Sequence, residues 1–511
     1  MLYLLAIFFP ILAGITFLVR GGKEEEQKKT EYGKVRYLIA VLIADILCVC
    51  AVCFSKGSQI AFPLVDQVSL SFAVDGFGKL MLTVALCLFT LICCYALVYM
   101  EKEERTHIFF GCFLLTMGAL TGVCLSANLI TMYLCFEMTT LLSVPLVLHE
   151  MTKESVQAGI KYLFYSVGGA LMGLCAVIYI YSITEGDMTF LAGGFLSQVQ
   201  ITNRPVFLLM MFLGILGFGT KAGIYPMHSW LPTAHPIAPA PASALLSGII
   251  AKAGIIALVR LIYYSVGPQL LFGSVLQKVW LALVMITVLL GSSMALISKD
   301  LKKRLAYSTV SQLSYIMAAL ACFSWEGLTG GLLQVLAHAF AKCCLFLAAG
   351  AIIHMTGLRD VRDFSGLGKK MPVTMWCFAF ASLSLIGIPP MGGFLAKWNI
   401  AAACLQTEKG IWAVLPPIVL LISALLTAGY LMPVVVSAFF PLKNGEGKEK
   451  SGLDGKEEEK RQGKNAQTKQ ADTEEQKTEK EPLLMIIPMV TLCVLALLVG
   501  VFGEVIVAGM L

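Results

Sequence analysis

Charge is scarce in this chain. Asp, Glu, Lys and Arg together make up 14% of its 511 residues, too little to cover a water-soluble protein of that length. The shortage excludes the two to four soluble domains that length alone would allow. Metal ligands are thinly spread as well. Histidine occurs six times, and the sixteen cysteines lie mostly singly or as adjacent pairs in apolar runs, where Cys behaves as a small hydrophobe. Cys48, Cys50 and Cys53 form the one close group, but it sits in an apolar run with no fourth Cys or His nearby, which excludes the spacing of zinc and iron–sulfur sites. No cofactor is therefore expected. Residues 1–19 lack a basic start and a small-residue cleavage site, so they read as a first membrane span and not as a removed signal. The net charge of +6 lies in loops and points to membrane sidedness, not to nucleic acid.

What the chain has in quantity is apolar side chains, 58% of the total, in runs near the twenty residues that cross a bilayer. The runs predict an all-α polytopic membrane protein of about fourteen spans. They fall at 2–19, 35–54, 77–99, 107–125, 128–148, 160–182, 206–224 with a continuation to 243, 244–265, 278–297, 303–323, 329–353, 372–405 with a break, 412–440 and 483–505. Loops that would share one side carry eighteen Lys and Arg, within 20–36, 102–105, 153–161, 299–304 and 359–370, against six on the other side (Lys56, Lys79, Arg204, Arg260, Lys278, Lys409). Positively charged loops stay in the cytoplasm, so the bias places both termini outside a bacterial cell membrane. The segment 442–481 differs from its surroundings, with ten Lys and Arg, eleven Asp and Glu and no aromatic residue. It cannot bury enough apolar surface to offset chain entropy and reads as a charged cytoplasmic linker.

The stretch 217–260 organises the rest. It places Lys221 and Lys252 inside apolar runs and sets Pro226, Pro232, Pro236, Pro239 and Pro241 between them. Each interior proline removes a backbone donor, and freed carbonyls at membrane depth are tolerated only beside protein or a water-filled cavity. A second interruption repeats the first. Gly223-Ile224-Tyr225-Pro226-Met227-His228-Ser229-Trp230-Leu231 recurs as Gly387-Ile388-Pro389-Pro390-Met391-Gly392-Gly393-Phe394-Leu395. The copies lie five spans apart and so cross in opposite directions, the pattern of a transporter whose path meets paired broken helices. Helix breaks are expected at Pro226, Pro232, Pro389 and Pro390.

Six ionisable groups lie inside the predicted spans: Glu137, Lys221, Lys252, His338, Lys342 and Lys397. Such residues are expensive in a bilayer and mark ion pathways. A lone carboxylate among lysines suggests a Glu137–Lys pair, because pairing lessens the cost of burial. His338 and Lys342, four residues apart, share one helix face. Burial brings lysines and carboxylates toward proton exchange near neutral pH, and histidine starts there, so the set meets the requirement of a proton relay in one polar band. His338 alone also suits a neutral histidine bridging helices. His107, His149 and His354 sit at span ends, Asp45 is open to either reading, and His228 and Trp230 either line the path or anchor the irregular backbone.

With Glu137 in FEMTTLLS, and with GTKAGIYPMHSWLPTAHPIAPAPASALLSGIIAKAG, DLKKRLAYSTVSQLSYI, LAHAFAKCCLFLAAG and GIPPMGGFLAKW, the chain resembles the proton-translocating antiporter-like membrane subunits of respiratory complex I, membrane-bound hydrogenases and Mrp cation/proton antiporters. The resemblance covers most of residues 107–405. It implies two inverted five-helix units, 107–265 and 266–441, each with a broken helix. They would follow N-terminal helices in 1–106 and precede the linker and a last helix in 482–511. It also implies that Glu137 and Lys221 form a modulating pair, with Lys252, His338, Lys342 and Lys397 as the relay. The partners implied are other membrane subunits of one complex, with H⁺ and, as a candidate, Na⁺ as the ions. Lys397 stands where the middle antiporter-like subunit tends to carry Glu, and the charged linker is not a usual family feature. The competing readings are a quinone-contacting oxidoreductase subunit, against which the lack of a ligand set speaks, and an autonomous solute transporter, which would need a substrate-sized polar cavity.

Overall fold

The computed structural model describes residues 2–24, 31–54, 59–65, 68–101, 103–407, 410–440 and 481–510. The expected linker at 442–481 lies outside the described residues except for Glu481. The long helices in chain order are α1 (Leu2–Glu24), α2 (Glu31–Phe54), α3 (Gly76–Tyr99), α4 (Thr106–Leu125), α5 (Leu129–Leu148), α6 (Lys153–Ile183) and α7 (Arg204–Lys221). After the short α8 (Leu231–Ile237) come α9 (Ala240–Val266), α10 (Val275–Ile297), α11 (Leu301–Leu320) and α12 (Trp325–Thr356). The chain continues as α13 (Pro372–Ile386), α14 (Gly392–Thr407), α15 (Ile411–Phe439) and α16 (Leu483–Ala508). Twelve of these, among the described residues, are long and apolar enough to cross a membrane. The chain is thus a multi-pass membrane protein.

The other two expected spans take different forms. Helix α11 is twenty residues long but polar, and nearly all of it is buried. Its neighbours α10, α12 and α8 enclose it, so protein and not lipid accommodates its three serines and Gln312. The expected span over 372–405 is divided into α13 and α14, neither of which is long enough alone. One element was not foreseen, an antiparallel hairpin of β1 (Ile60–Val65) and β2 (Val68–Phe72), with Ile60 opposite Phe72.

Local chemistry accounts for the helix ends. The side chain of Asn128 caps α5 by accepting the Thr131 N–H at 2.8 Å, Asn203 caps α7 through Val206 N–H at 3.3 Å, and Ser324 caps α12 through Gly327 N–H at 3.0 Å. Small residues then let helices approach. A Cβ added to Gly217 would fall 2.5 Å from the carbonyl oxygen of Gly169, so α6 and α7 meet backbone to backbone, as glycines permit in membranes.

Arg260, counted above among loop charges, lies inside α9 and is 1% exposed. Its guanidinium forms a two-pronged ion pair with Asp75, one prong being 2.8 Å from Nη2 to Oδ1, and it sits 4.7–5.1 Å from the rings of Phe77, Phe190 and Tyr264. Asp75 also accepts the Gly78 N–H at 2.9 Å and so caps α3. Removing one partner of a buried pair strands the other charge. Asp75→Ala is expected to cost roughly 3 kcal/mol, the low end of the buried range, because the Asp75 side chain is 37% exposed. Thermal melting of the purified complex reads this out, and an unchanged midpoint would contradict it.

Candidate functional site

The two interruptions share one local geometry. Helix α7 ends at Lys221, and the chain turns through Gly223, whose φ of +80° suits only glycine well, to a cis bond before Pro226. Helix α13 ends at Ile386, turns through Gly387 at φ +92°, and reaches a cis bond before Pro390. The Ile224 N–H bonds to Gly219 O at 3.1 Å, and the Ile388 N–H bonds to Leu383 O at 3.2 Å. Each helix C-terminus meets a lysine there, where the helix dipole favours a cation.

The expected breaks divide unevenly. Pro226, Pro389 and Pro390 lie in the turns, but Pro232 is within the first turn of α8. A proline fits there because the N–H it lacks would have had no partner. The first interrupted span does not continue to 243 either. A bend at Ala238–Pro239 ends it, and α9 starts at Ala240 with Pro241 in its first turn. Trp230 resolves in favour of an anchor, since its Nε1–H donates to Thr220 O at 2.9 Å. His228 lines a cleft beside the break with Lys161, Thr233 and Tyr307, and Lys161 Nζ donates to Thr233 Oγ1 at 3.0 Å.

Lys221 is buried, as the sequence implied, but its contact differs from the one expected. Its Nζ donates to Thr140 Oγ1 at 2.5 Å and stands 4.8 Å from the Phe136 ring. No salt bridge joins it to Glu137 among the described residues. Thr140 is three residues beyond Glu137 on the same face of α5, so a small swing of the lysine separates the two partners. Glu137 is half-buried, and its Oε1 has no hydrogen-bond partner among the described residues.

Lys252, His338 and Lys342 are all fully buried. Helix α9 contains π-helical turns at Leu246–Ile250 and Arg260–Val266, a form concentrated at functional sites. Directly after the first, Lys252 Nζ lies 2.7 Å from His338 Nδ1 and also donates to Ser247 O. Lys342, one turn after His338 on α12, donates to Leu305 O at 2.8 Å and to Ser308 Oγ. Lys397 is half-buried on α14. Its Nζ donates to Leu385 O at 2.6 Å and Ile386 O at 2.8 Å, the last carbonyls of α13, and faces the Tyr315 ring at 5.1 Å.

Sequence reasoning missed the groups between these. Helix α11 carries Ser308, Thr309, Gln312 and Tyr315 from the Lys342 contact toward Lys397. Thr309 Oγ1 lies 2.9 Å from Ser247 Oγ, and Gln334 Nε2 donates to Gln312 Oε1 at 2.8 Å. The polarity of DLKKRLAYSTVSQLSYI in an apolar chain was the available signal. His235 was missed too. It is 0% exposed, stacks on Phe346 at 5.1 Å, neighbours the charges of Lys342, Lys302 and Lys252, and has no hydrogen-bond partner for either ring nitrogen among the described residues. Its place between Pro232 and Pro236 in the interrupted span was the only hint. Asp45, by contrast, stands apart on α2, where it accepts the Thr90 hydroxyl.

Comparison with known proteins follows the same lines. The family described as NADH:quinone oxidoreductase/Mrp antiporter, TM matches residues 126–427, and the one described as NADH-ubiquinone oxidoreductase (complex I), chain 5 N-terminus matches 65–110. The chain is 36% identical to NADH-quinone oxidoreductase subunit N of Desulforudis audaxviator over 336 residues, covering 65% of this chain and 64% of that protein. Against a Na⁺/H⁺ antiporter subunit of Alkalihalophilus pseudofirmus it is 34% identical over 369 residues, covering 68% of this chain and 44% of that protein. The chain thus spans less than two thirds of either relative. Its fold is that of a chain in the membrane-bound sulfane sulfur reductase, an archaeal respiratory membrane complex, with a TM-score of 0.79 at 22% identity over 99% of this chain and 96% of that one.

Proposed function

The chain belongs to the NADH:quinone oxidoreductase/Mrp antiporter transmembrane family, and on that premise we propose that it is the proton-translocating subunit of a multisubunit membrane complex. The observation that carries this reading is the set of lysines and a histidine kept out of water inside an apolar protein: Lys221, Lys252, His338 and Lys342 buried, and Lys397 half-buried. Apolar proteins bury uncompensated lysines only where function needs them. The contact of Lys252 with His338 gives two groups that can share one proton. Beyond it, His338 Nε2, both nitrogens of His235 and the Gln312–Gln334 pair offer buried polar atoms that water can bridge. The cleft at Lys161, His228 and Thr233 gives the first break an approach from one surface.

In this reading the units 107–265 and 266–441 are inverted repeats, preceded by N-terminal helices in 1–106 and followed by a last helix in 482–511. Helix α11 and the divided α13–α14 bring the spans to fourteen, and the matching Gly-Ile-x-Pro turns, with Ile224 and Ile388 bonded alike, support the repeat. The distribution of Lys and Arg supports both termini outside a bacterial cell membrane and residues 442–481 in the cytoplasm. Other membrane subunits are the partners. The names of relatives make Na⁺ the candidate coupled ion, with proton movement itself assigned to the lysine line. When Lys221 leaves Glu137 for Thr140, its proton becomes available to Lys252.

The complex carrying this chain, reconstituted in vesicles with a pH-sensitive dye, tests the reading. Lys221→Met and Lys342→Met are each expected to reduce proton movement to that of vesicles lacking the chain, with complex abundance unchanged. Undiminished transport by either would overturn the relay.

A further inference from the structure

Helix α13 is held at both ends by charged side chains that lie outside it. Its N-terminus, Met371-Pro372-Val373-Thr374, provides no side-chain cap of its own. Pro372 has no N–H, so the first free donors belong to Val373 and Thr374. The carboxylate of Glu481 takes both, from Val373 N at 3.3 Å and from Thr374 N at 3.1 Å, and it accepts the Thr374 hydroxyl as well. A residue 107 positions along the chain thus does what a local Ser or Asp does at other helix starts. At the far end, Lys397 occupies the carbonyls of Leu385 and Ile386. A carboxylate at the N-terminus and an ammonium at the C-terminus both complement the helix dipole.

Helix α16, which starts two residues after Glu481, follows α13 to the break. Cys493 Sγ donates to Cys377 O at 3.5 Å, and a Cβ on Gly500 would fall 1.9 Å from Pro390 O. Fifteen residues of α-helix, about 22 Å at 1.5 Å per residue, form a strut between the two charged contacts. A shift at one end moves the other, since packed helices move as rigid bodies.

We propose that Glu481 is a positioning residue for Lys397, fixing the N-terminus of α13 and thereby the two carbonyls to which Lys397 donates. Its consequence for transport rests on the relay role of Lys397, but its structural readout does not. Hydrogen–deuterium exchange on the intact complex provides that readout. In Glu481→Gln, exchange of the Gly387 and Ile388 amides, which bond to Leu383 O, is expected to rise about fivefold, the factor that loss of a helix N-cap corresponds to. The amides of Gly223 and Ile224 at the first break are expected to stay unchanged. Thr374→Val keeps the carboxylate and removes one of its three donors, so it should give a smaller rise at the same amides, and it carries the test should Glu481→Gln not assemble. Faster exchange confined to the first turn of α13 in these variants would overturn the proposal, reducing Glu481 to a local cap. Normal transport by Lys397→Met would instead sink the relay role of that lysine while leaving the exchange result standing.

Discussion

Lys252→Arg is expected to assemble to near wild-type abundance and to move no protons. The side chain at this position must hold a proton for part of the cycle and release it for the rest. Arginine keeps its charge at any working pH, so it can replace the electrostatics of Lys252 but not its exchange with His338 at 2.7 Å. The site is fully buried, and the larger guanidinium has to find room, which makes Lys252→Met a necessary companion. Methionine fits the volume and removes the charge. Lys252 contacts no carboxylate among the described residues, so removing it strands no opposite charge and relieves the cost of burying its own, and the methionine protein should melt no lower than wild type while also failing to transport. Loss of transport together with retained stability is the signature of a group kept for chemistry. Complex abundance, melting temperature and proton movement, measured on the same preparations, decide the matter. Wild-type pumping by Lys252→Arg would make this lysine a fixed electrostatic element.

Glu137→Gln and Glu137→Ala are both expected to abolish coupled proton movement and to differ in stability. Glutamine preserves the shape and removes the charge that draws Lys221 away from Thr140. Alanine removes the shape as well and leaves Lys221 with the Thr140 hydroxyl as its one close side-chain hydrogen bond. The additional cost in the alanine protein should not exceed about 3 kcal/mol, the lower figure for breaking a buried pair, because Glu137 is half-buried and forms no salt bridge among the described residues. Normal transport by Glu137→Gln vesicles would remove Glu137 from the mechanism. Equal melting temperatures for the two variants would show that the carboxylate's shape contributes nothing to packing.

Much of the architecture was legible in one dimension, because a bilayer reads a sequence locally. Twenty apolar residues partition into lipid wherever they occur, so the lengths of the runs located twelve spans. A lysine inside such a run is conspicuous without knowledge of its neighbours, which is why Lys221, Lys252, Lys342 and Lys397 stood out. The two breaks were visible for the same reason, since proline and glycine act on the residues beside them. Helix α11 shows where this reasoning weakens. Its polarity would deny it a place in lipid, and only its enclosure by other helices permits it there.

Contacts between distant residues were decided by the tertiary structure alone. Nothing local pairs Lys252 with His338, Arg260 with Asp75, or Glu481 with Thr374, because each depends on how helices cross. The same holds for His235, an ordinary histidine in a loop-like proline stretch until folding buries it among lysines. The Glu137–Lys221 pairing was inferred from charge, whereas the fold places the Lys221 ammonium on Thr140 and over the Phe136 ring. Composition and spacing determined which groups are costly to bury. Helix packing determined which of them touch, because side-chain distances of 3 Å depend on crossings that no run of neighbouring residues encodes.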